Sequence, residues 1–370
     1  MPRKKILLLS PYDAPSHRYW HEGVVAAFPE YEWTVLSLPP RHFSWRIRGN
    51  SLTWAASEDE TFEKIFDLII ATSMTDLSAL KGMRPSLATV PTLLYFHENQ
   101  FAYPESGMEF KSVEPKTVSI YAAISASQIA FNSDYNRLTF LQGCQTLLNK
   151  MPDHVPLGIG ERLKQKSSTL PVPLNSSLFE DKEKQERNRQ FTIIWNHRWE
   201  YDKAPERLFS ALRIVKDRGI SFLVNIVGQR FRNAPTVFDQ MQEEFSDHIG
   251  VWGYIESRSE YMATVRQSHV VVSTALHDFQ GLAVLEATAA GCIPCVPDRL
   301  AYREHIPEQF RFESSPDCAE TESEALACRL IELGELYQAG KLPLAPDISE
   351  LGWEKMRDRY SNLINKVLNS

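Results

Sequence analysis

Two carboxylates eight positions apart, Asp278 and Glu286, bracket a glycine within residues 277–297, HDFQGLAVLEATAAGCIPCVP. An apolar run, HVVVSTA at 269–275, precedes them, and another at 293–296 follows. The order predicts strand, tight turn, helix, strand. A helix entered through a glycine opens with N–H groups that lack intrahelical partners. With the helix dipole they suit a phosphate or diphosphate. Gly281 lets a ligand approach the backbone closely, and Leu282 opens the helix. Glu286 falls one turn inside, where a carboxylate accepts hydrogen bonds from hydroxyls such as those of a ribose. An ordinary α/β crossover with two exposed acids fits the same pattern.

Other segments carry groups suited to the same ligand. NHRWEYDK at 196–203 follows an apolar strand and places Arg198 and Lys203 five apart. Two such cations neutralise charge growing on a leaving diphosphate without a metal. Arg grips phosphate through a fork and Lys acts as a point charge. WGY at 252–254 offers Trp252 and Tyr254 to a nucleotide base, or to the core. In the first half, YDAPSH at 12–17 follows the first strand and brings Ser16 and His17 toward phosphate or acceptor. YFHENQFAYP at 95–104 puts His97, Glu98, Asn99 and Gln100 at the end of a buried strand, a polar group set suited to a sugar or acceptor. Residues 41–55, RHFSWRIRGNSLTWA, mix Arg41, Arg46 and Arg48 with Phe43, Trp45 and Trp54. Arginines contact phosphates and aromatics stack on unpaired bases. A surface loop packed by arginine stems has the same composition.

These groups need a scaffold. At 370 residues the chain fits two domains. Near-continuous apolar strands alternate with helical spacing in both halves, as in parallel sheets covered on both faces. The expected division is a domain over 1–168, a linker over 169–190, a second domain over 191–345 and a final helix over 346–370. Two doubly wound sheets hold ligands at the carboxyl ends of their strands, hence in a cleft between the domains. Apolar content is 43% and charged content 24%, those of an ordinary soluble protein. No apolar run is long enough to cross a bilayer, and MPRKKILLLSPYD reads as a first strand, not a signal peptide. Five scattered cysteines argue for a reducing compartment, taken as cytoplasmic. Cys292 and Cys295 form a CxxC with no second pair nearby, so buried thiols are expected there and not a metal. The net charge of −7 gives no global nucleic-acid signal. Lys and Arg balance Asp and Glu through Lys166, which assigns any polyanionic acceptor to the first half.

The acid-spaced turn resembles the donor-binding signature of retaining glycosyltransferases with two Rossmann-like domains (GT-B), although the first acid is Asp and Gln280 separates Phe279 from Gly281. Together with DLIIATSMTDL, LPPRHFSWRIRGNSL, YFHENQFAYP, IAFNSDYNRLTFL and NHRWEYDKAPE, it resembles the tRNA-queuosine alpha-mannosyltransferases, which are glycosyltransferase-family-4-like. The resemblance implies transfer of mannose from GDP-mannose to queuosine at the wobble position of tRNA-Asp, with retention and no required metal. It implies a last helix that crosses back onto the first domain. Donor contacts then fall to Arg198, Lys203, Trp252, Tyr254, Gly281, Leu282 and Glu286. His97 and Asp278 orient the sugar. Ser16, His17, Arg46, Arg48, Glu98, Asn99 and Gln100 face the acceptor. A relative acting on a lipid or small glycan, or one that only binds RNA, stays open at this point. A nucleoside-sugar epimerase is disfavoured because no G-x-G-x-x-G follows the first strand.

Overall fold

The computed structural model describes residues 2–103, 113–180, 187–231 and 234–369. The chain separates into two units, Met1–Pro173 with Trp353–Ser370, and Leu174–Gly352. Division therefore falls inside the expected linker. That segment is not a free tether, however. Leu178 enters the core of the second unit, and Leu174 bridges Gly352 there. Residues 181–186 of the expected linker, and Pro104 of the polar loop, lie outside the described residues.

Each unit is built on six parallel strands. In the first they are β1 (Lys5–Ser10), β2 (Glu32–Ser37), β3 (Leu68–Thr72), β4 (Thr92–Phe96), β5 (Gln128–Phe131) and β6 (Ser167–Thr169), ordered β2-β1-β3-β4-β5-β6. The second has β7 (Thr192–Trp195), β8 (Leu223–Val227), β9 (Ile249–Gly253), β10 (Val270–Val272), β11 (Ile293–Pro297) and β12 (Arg311–Phe312), ordered β12-β11-β10-β7-β8-β9. β3, β4, β7, β10 and β11 are buried along their whole length. Helices cover both faces, so apolar side chains are needed on both. Edge strand β2, with no residue fully buried, carries Glu, Trp and Thr instead.

Strand order locates the sites. In the first unit the chain leaves β1 toward β2 and then returns to β3 on the other side. In the second it winds outward from β7 to β9 and then crosses back to β10. Each reversal opens a crevice at the strand ends, where α/β sheets bind ligands. Residues 11–17, 73–76 and 97–100 meet at the first reversal. Residues 196–203 and 273–281 meet at the second.

The segment at 41–55 corrects the loop alternative: residues Phe43–Ser57 form a helix. The last helix, Trp353–Leu368, packs in the first unit, where Tyr360 accepts a hydrogen bond from Trp20 at 2.9 Å and donates to the Pro171 carbonyl at 3.0 Å. Cys292 and Cys295 are fully buried and unbridged, and burial pushes both thiols up to about 12. No helix among the described residues is long and apolar enough to cross a membrane.

A buried ion triad ties the second unit together. Glu322 receives Arg207 at 2.7 Å and Arg299 at 2.8 Å, and Arg299 also donates to the Ala275 carbonyl at 2.8 Å. Glu322→Ala would leave two buried guanidinium groups without their counter-ion, an effect of about 3–5 kcal/mol. Urea unfolding should show that loss; a variant as stable as the parent would contradict it.

Candidate active site

The turn after β10 is organised by Asp278. One carboxylate oxygen accepts the Gly281 N–H at 2.8 Å, and the other accepts the Tyr302 hydroxyl at 3.3 Å. Gly281 has φ 77°, the left-handed region, and a Cβ there would stand 2.5 Å from the Tyr302 ring. Only glycine meets both conditions. The helix Leu282–Ala289 starts directly afterwards. Lys203 comes to this turn from the β7 side. It is 7% exposed, donates to the His277 carbonyl at 2.6 Å and stands 3.7 Å from Asp278. Burial raises the Asp278 carboxyl, but Lys203, His197, the Gly281 amide and His277 outweigh that and hold it below the usual range.

Arg198 pairs with Glu200 at 3.0 Å and remains half exposed. Arg198 and Lys203 both lower the His277 imidazole, so the two cations share one neighbourhood. Glu286 is buried and forms a fork with Arg258, at 2.5 and 3.2 Å. Asn196 fastens the same helix to the loop after β7: its amide donates to the Ala283 carbonyl at 3.0 Å and to the Tyr261 hydroxyl at 2.9 Å. Trp252 is turned into packing, edge-on to Trp199 with centroids 5.1 Å apart. Tyr254 is the exposed aromatic of that segment.

In the first unit His17 and His97 stack at 4.2 Å, both buried. Glu98 joins them: its carboxylate meets His17 Nε2 at 2.9 Å and accepts the Ser73 hydroxyl at 2.8 Å. The loops after β1, β3 and β4 are thereby locked to one another. Burial, with His17 and His21 nearby, pushes His97 well below the ordinary histidine range, so it stays neutral. Its Nε2 has no hydrogen-bond partner among the described residues.

Asn99 has another part. It is buried, donates to Asn136 and Thr139, and accepts the amides of Phe101 and Ala102 at 2.9 and 3.1 Å. All its capacity goes into shaping the loop. Gln100 is half buried and Ser16 exposed. Arg46 is buried in its helix. Arg48 is half exposed and pairs with Asp76 at 2.7 Å and Glu114 at 3.4 Å. Among the described residues, no three His, Cys, Asp or Glu side chains cluster as metal ligands.

The model of the tRNA-queuosine alpha-mannosyltransferase N-terminal family matches residues 5–174, and that of glycosyl transferases group 1 matches 177–333. A tRNA-queuosine alpha-mannosyltransferase of Drosophila melanogaster is 31% identical over 320 residues, covering 84% of each chain. The chain belongs to the tRNA-queuosine alpha-mannosyltransferase family. Members of this family are glycosyltransferases, and so is this chain. Solved structures agree on the GT-B fold. A UDP-forming α,α-trehalose-phosphate synthase from Burkholderia xenovorans superposes with a TM-score of 0.65 at 13% identity, over 99% of both chains. The pneumococcal O-GlcNAc transferase GtfA superposes at 0.61 and 16% identity, over 82% of this chain and 57% of that one.

Within this family member, Arg258, Ser73, Tyr302 and Asn196 escaped the sequence reading. Arg258 and Glu286 lie on separate helices 28 residues apart, and nothing in their local spacing links them. Ser73 directly follows β3 in the segment DLIIATSMTDL; the polar position at a strand's carboxyl end was its signal.

Three buried histidines of the second unit, His197, His269 and His277, are held down to about 4, chiefly by burial. Unfolded imidazoles titrate near about 6.5. Between those values the unfolded chain binds more protons, so stability is complete above about pH 6.5 and falls toward pH 4. Thermal unfolding should show a falling midpoint across that window, with the slope reduced in His269→Phe. A midpoint independent of pH there would contradict the assignment.

Proposed function

We propose that the chain transfers mannose from GDP-mannose to queuosine at the wobble position of tRNA-Asp, with retention of configuration and without a metal. The observation that carries the donor half is Lys203, a buried cation at the start of a helix that opens through a left-handed glycine. A buried ammonium beside N-terminal helix amides suits a diphosphate. Relationship to the fly enzyme supports the acceptor and the sugar.

In this reading Lys203, Arg198 and the first amides of the helix Leu282–Ala289 hold the diphosphate. Tyr254 faces the base. Glu286 takes the ribose hydroxyls, which replace Arg258 on its oxygens. Asp278 orients the mannose, and His97 is offered to a hydroxyl in the crevice of the first unit. Neutral His97 both donates and accepts through its ring nitrogens, as a sugar hydroxyl requires. Glu98, set by His17 and Ser73, contacts the acceptor. Chemistry proceeds on one face of the sugar. The C1–O bond to the phosphate breaks, the acceptor oxygen bonds to C1, and the departing diphosphate accepts the acceptor's proton. Lys203 and Arg198 stabilise the negative charge that appears there.

Incubation of purified protein with queuosine-containing tRNA-Asp and a panel of sugar nucleotides tests this, read by mass spectrometry of the nucleosides. A hexose should be added to queuosine with GDP-mannose alone. Transfer from UDP-galactose in preference would overturn the donor assignment. Glu286→Ala should lower kcat/KM for the donor about ten- to hundredfold, the worth of a charge-assisted hydrogen bond. Unchanged turnover would remove Glu286 from the site.

A further inference from the structure

The helix Phe43–Ser57 has a feature that its own stability does not explain. Gly49 sits in its interior, where glycine is weaker than alanine. A Cβ at Gly49 would stand 2.3, 2.6 and 2.7 Å from Cε2, Cζ2 and Cδ2 of Trp45. Three joined ring atoms at similar distances mean that the indole lies face-on against bare backbone. Yet Trp45 is 56% exposed, whereas Trp54 on the same helix is buried. A large apolar ring is thus set in place and left facing solvent.

Charge along its own segment is one-sided. From Pro40 to Ser57 the chain has three arginines, one histidine and no aspartate or glutamate, in a protein of net charge −7. Arg41 is exposed. The Nε of buried Arg46 has no hydrogen-bond partner among the described residues. Arg48 is shared with Asp76 and Glu114 and contributes less.

We propose that Trp45 is a stacking platform for an unpaired base of the acceptor RNA, with Arg41 at the adjoining phosphate. This rests on the RNA acceptor proposed above. An aromatic face beside cations suits single-stranded nucleotides, because every base has a π-face. Gly49 is the residue that lets the ring lie down.

Fluorescence anisotropy with a labelled anticodon stem-loop of tRNA-Asp tests it. Trp45→Ala should weaken binding about tenfold, and Trp45→Phe should retain most of it. Gly49→Ala should strengthen the helix by circular dichroism yet weaken RNA binding, because the methyl group displaces the indole. Hydrolysis of the sugar nucleotide should be unchanged in all three. Wild-type affinity in Trp45→Ala and Gly49→Ala would overturn the proposal, as would Trp45→Phe binding as poorly as Trp45→Ala. If Trp45→Ala fails to fold, Gly49→Ala and Trp45→Phe decide. Wild-type protein that binds the RNA but transfers no sugar to it would sink the acceptor reading alone, leaving the stacking assignment to the binding data. No RNA binding by wild type would end both.

Discussion

Asp278 stays ionised inside the second unit because its neighbours outweigh the cost of burial. Lys203 supplies the counter-charge at 3.7 Å, and the Gly281 amide donates at 2.8 Å. The same contacts decide the local backbone. Gly281 turns left-handed to present its N–H, and the helix Leu282–Ala289 begins from that turn. Lys203 in turn is drawn to the His277 carbonyl, which joins the loop after β7 to the loop after β10. A charge of the opposite sign at any of these positions would have to be desolvated without compensation. One carboxylate therefore braces the turn from which the helix starts, and Lys203 stands between it and Asp202, at 3.7 and 3.3 Å.

Most polar groups of the candidate sites in the two units already have partners. Glu286 holds Arg258, Arg198 holds Glu200, and Glu98 holds His17 and Ser73. Under the proposed function, ligand binding is an exchange: ribose hydroxyls for a guanidinium, phosphate for a carboxylate. Exchange limits the net gain from each contact, because the resident pair must be given up. It also keeps buried charges satisfied when no ligand is present. The exposed member of the Glu286 pair is Arg258, which can return to water at little cost.

Much of the architecture was legible. Strands at 5–10, 92–96 and 192–195 are short apolar runs between helical spacings, and parallel sheets buried on both faces demand that pattern. The turn at 277–286 was legible because a glycine between two acids before a small-residue helix has few structural uses. Residues 41–55 were not. Arginines and aromatics at that density fit a loop or a helix, and packing of Ile47, Asn50 and Trp54 into the first unit decided for the helix. Asn99 looked like a ligand group and is a loop brace, because its amide meets Asn136 and Thr139 from a helix further along the chain.

By itself the sequence determined the alternation of strands and helices, the two-unit parentage and the residue types at each strand end. Local spacing and apolar periodicity carry that information. Tertiary structure alone decided which of those polar residues face one another. Arg258 reaches Glu286, Ser73 reaches Glu98, and Tyr302 reaches Asp278 only because strand order brings distant loops to one end of a sheet. Strand order is a property of how whole layers pack, and no short window of residues contains it.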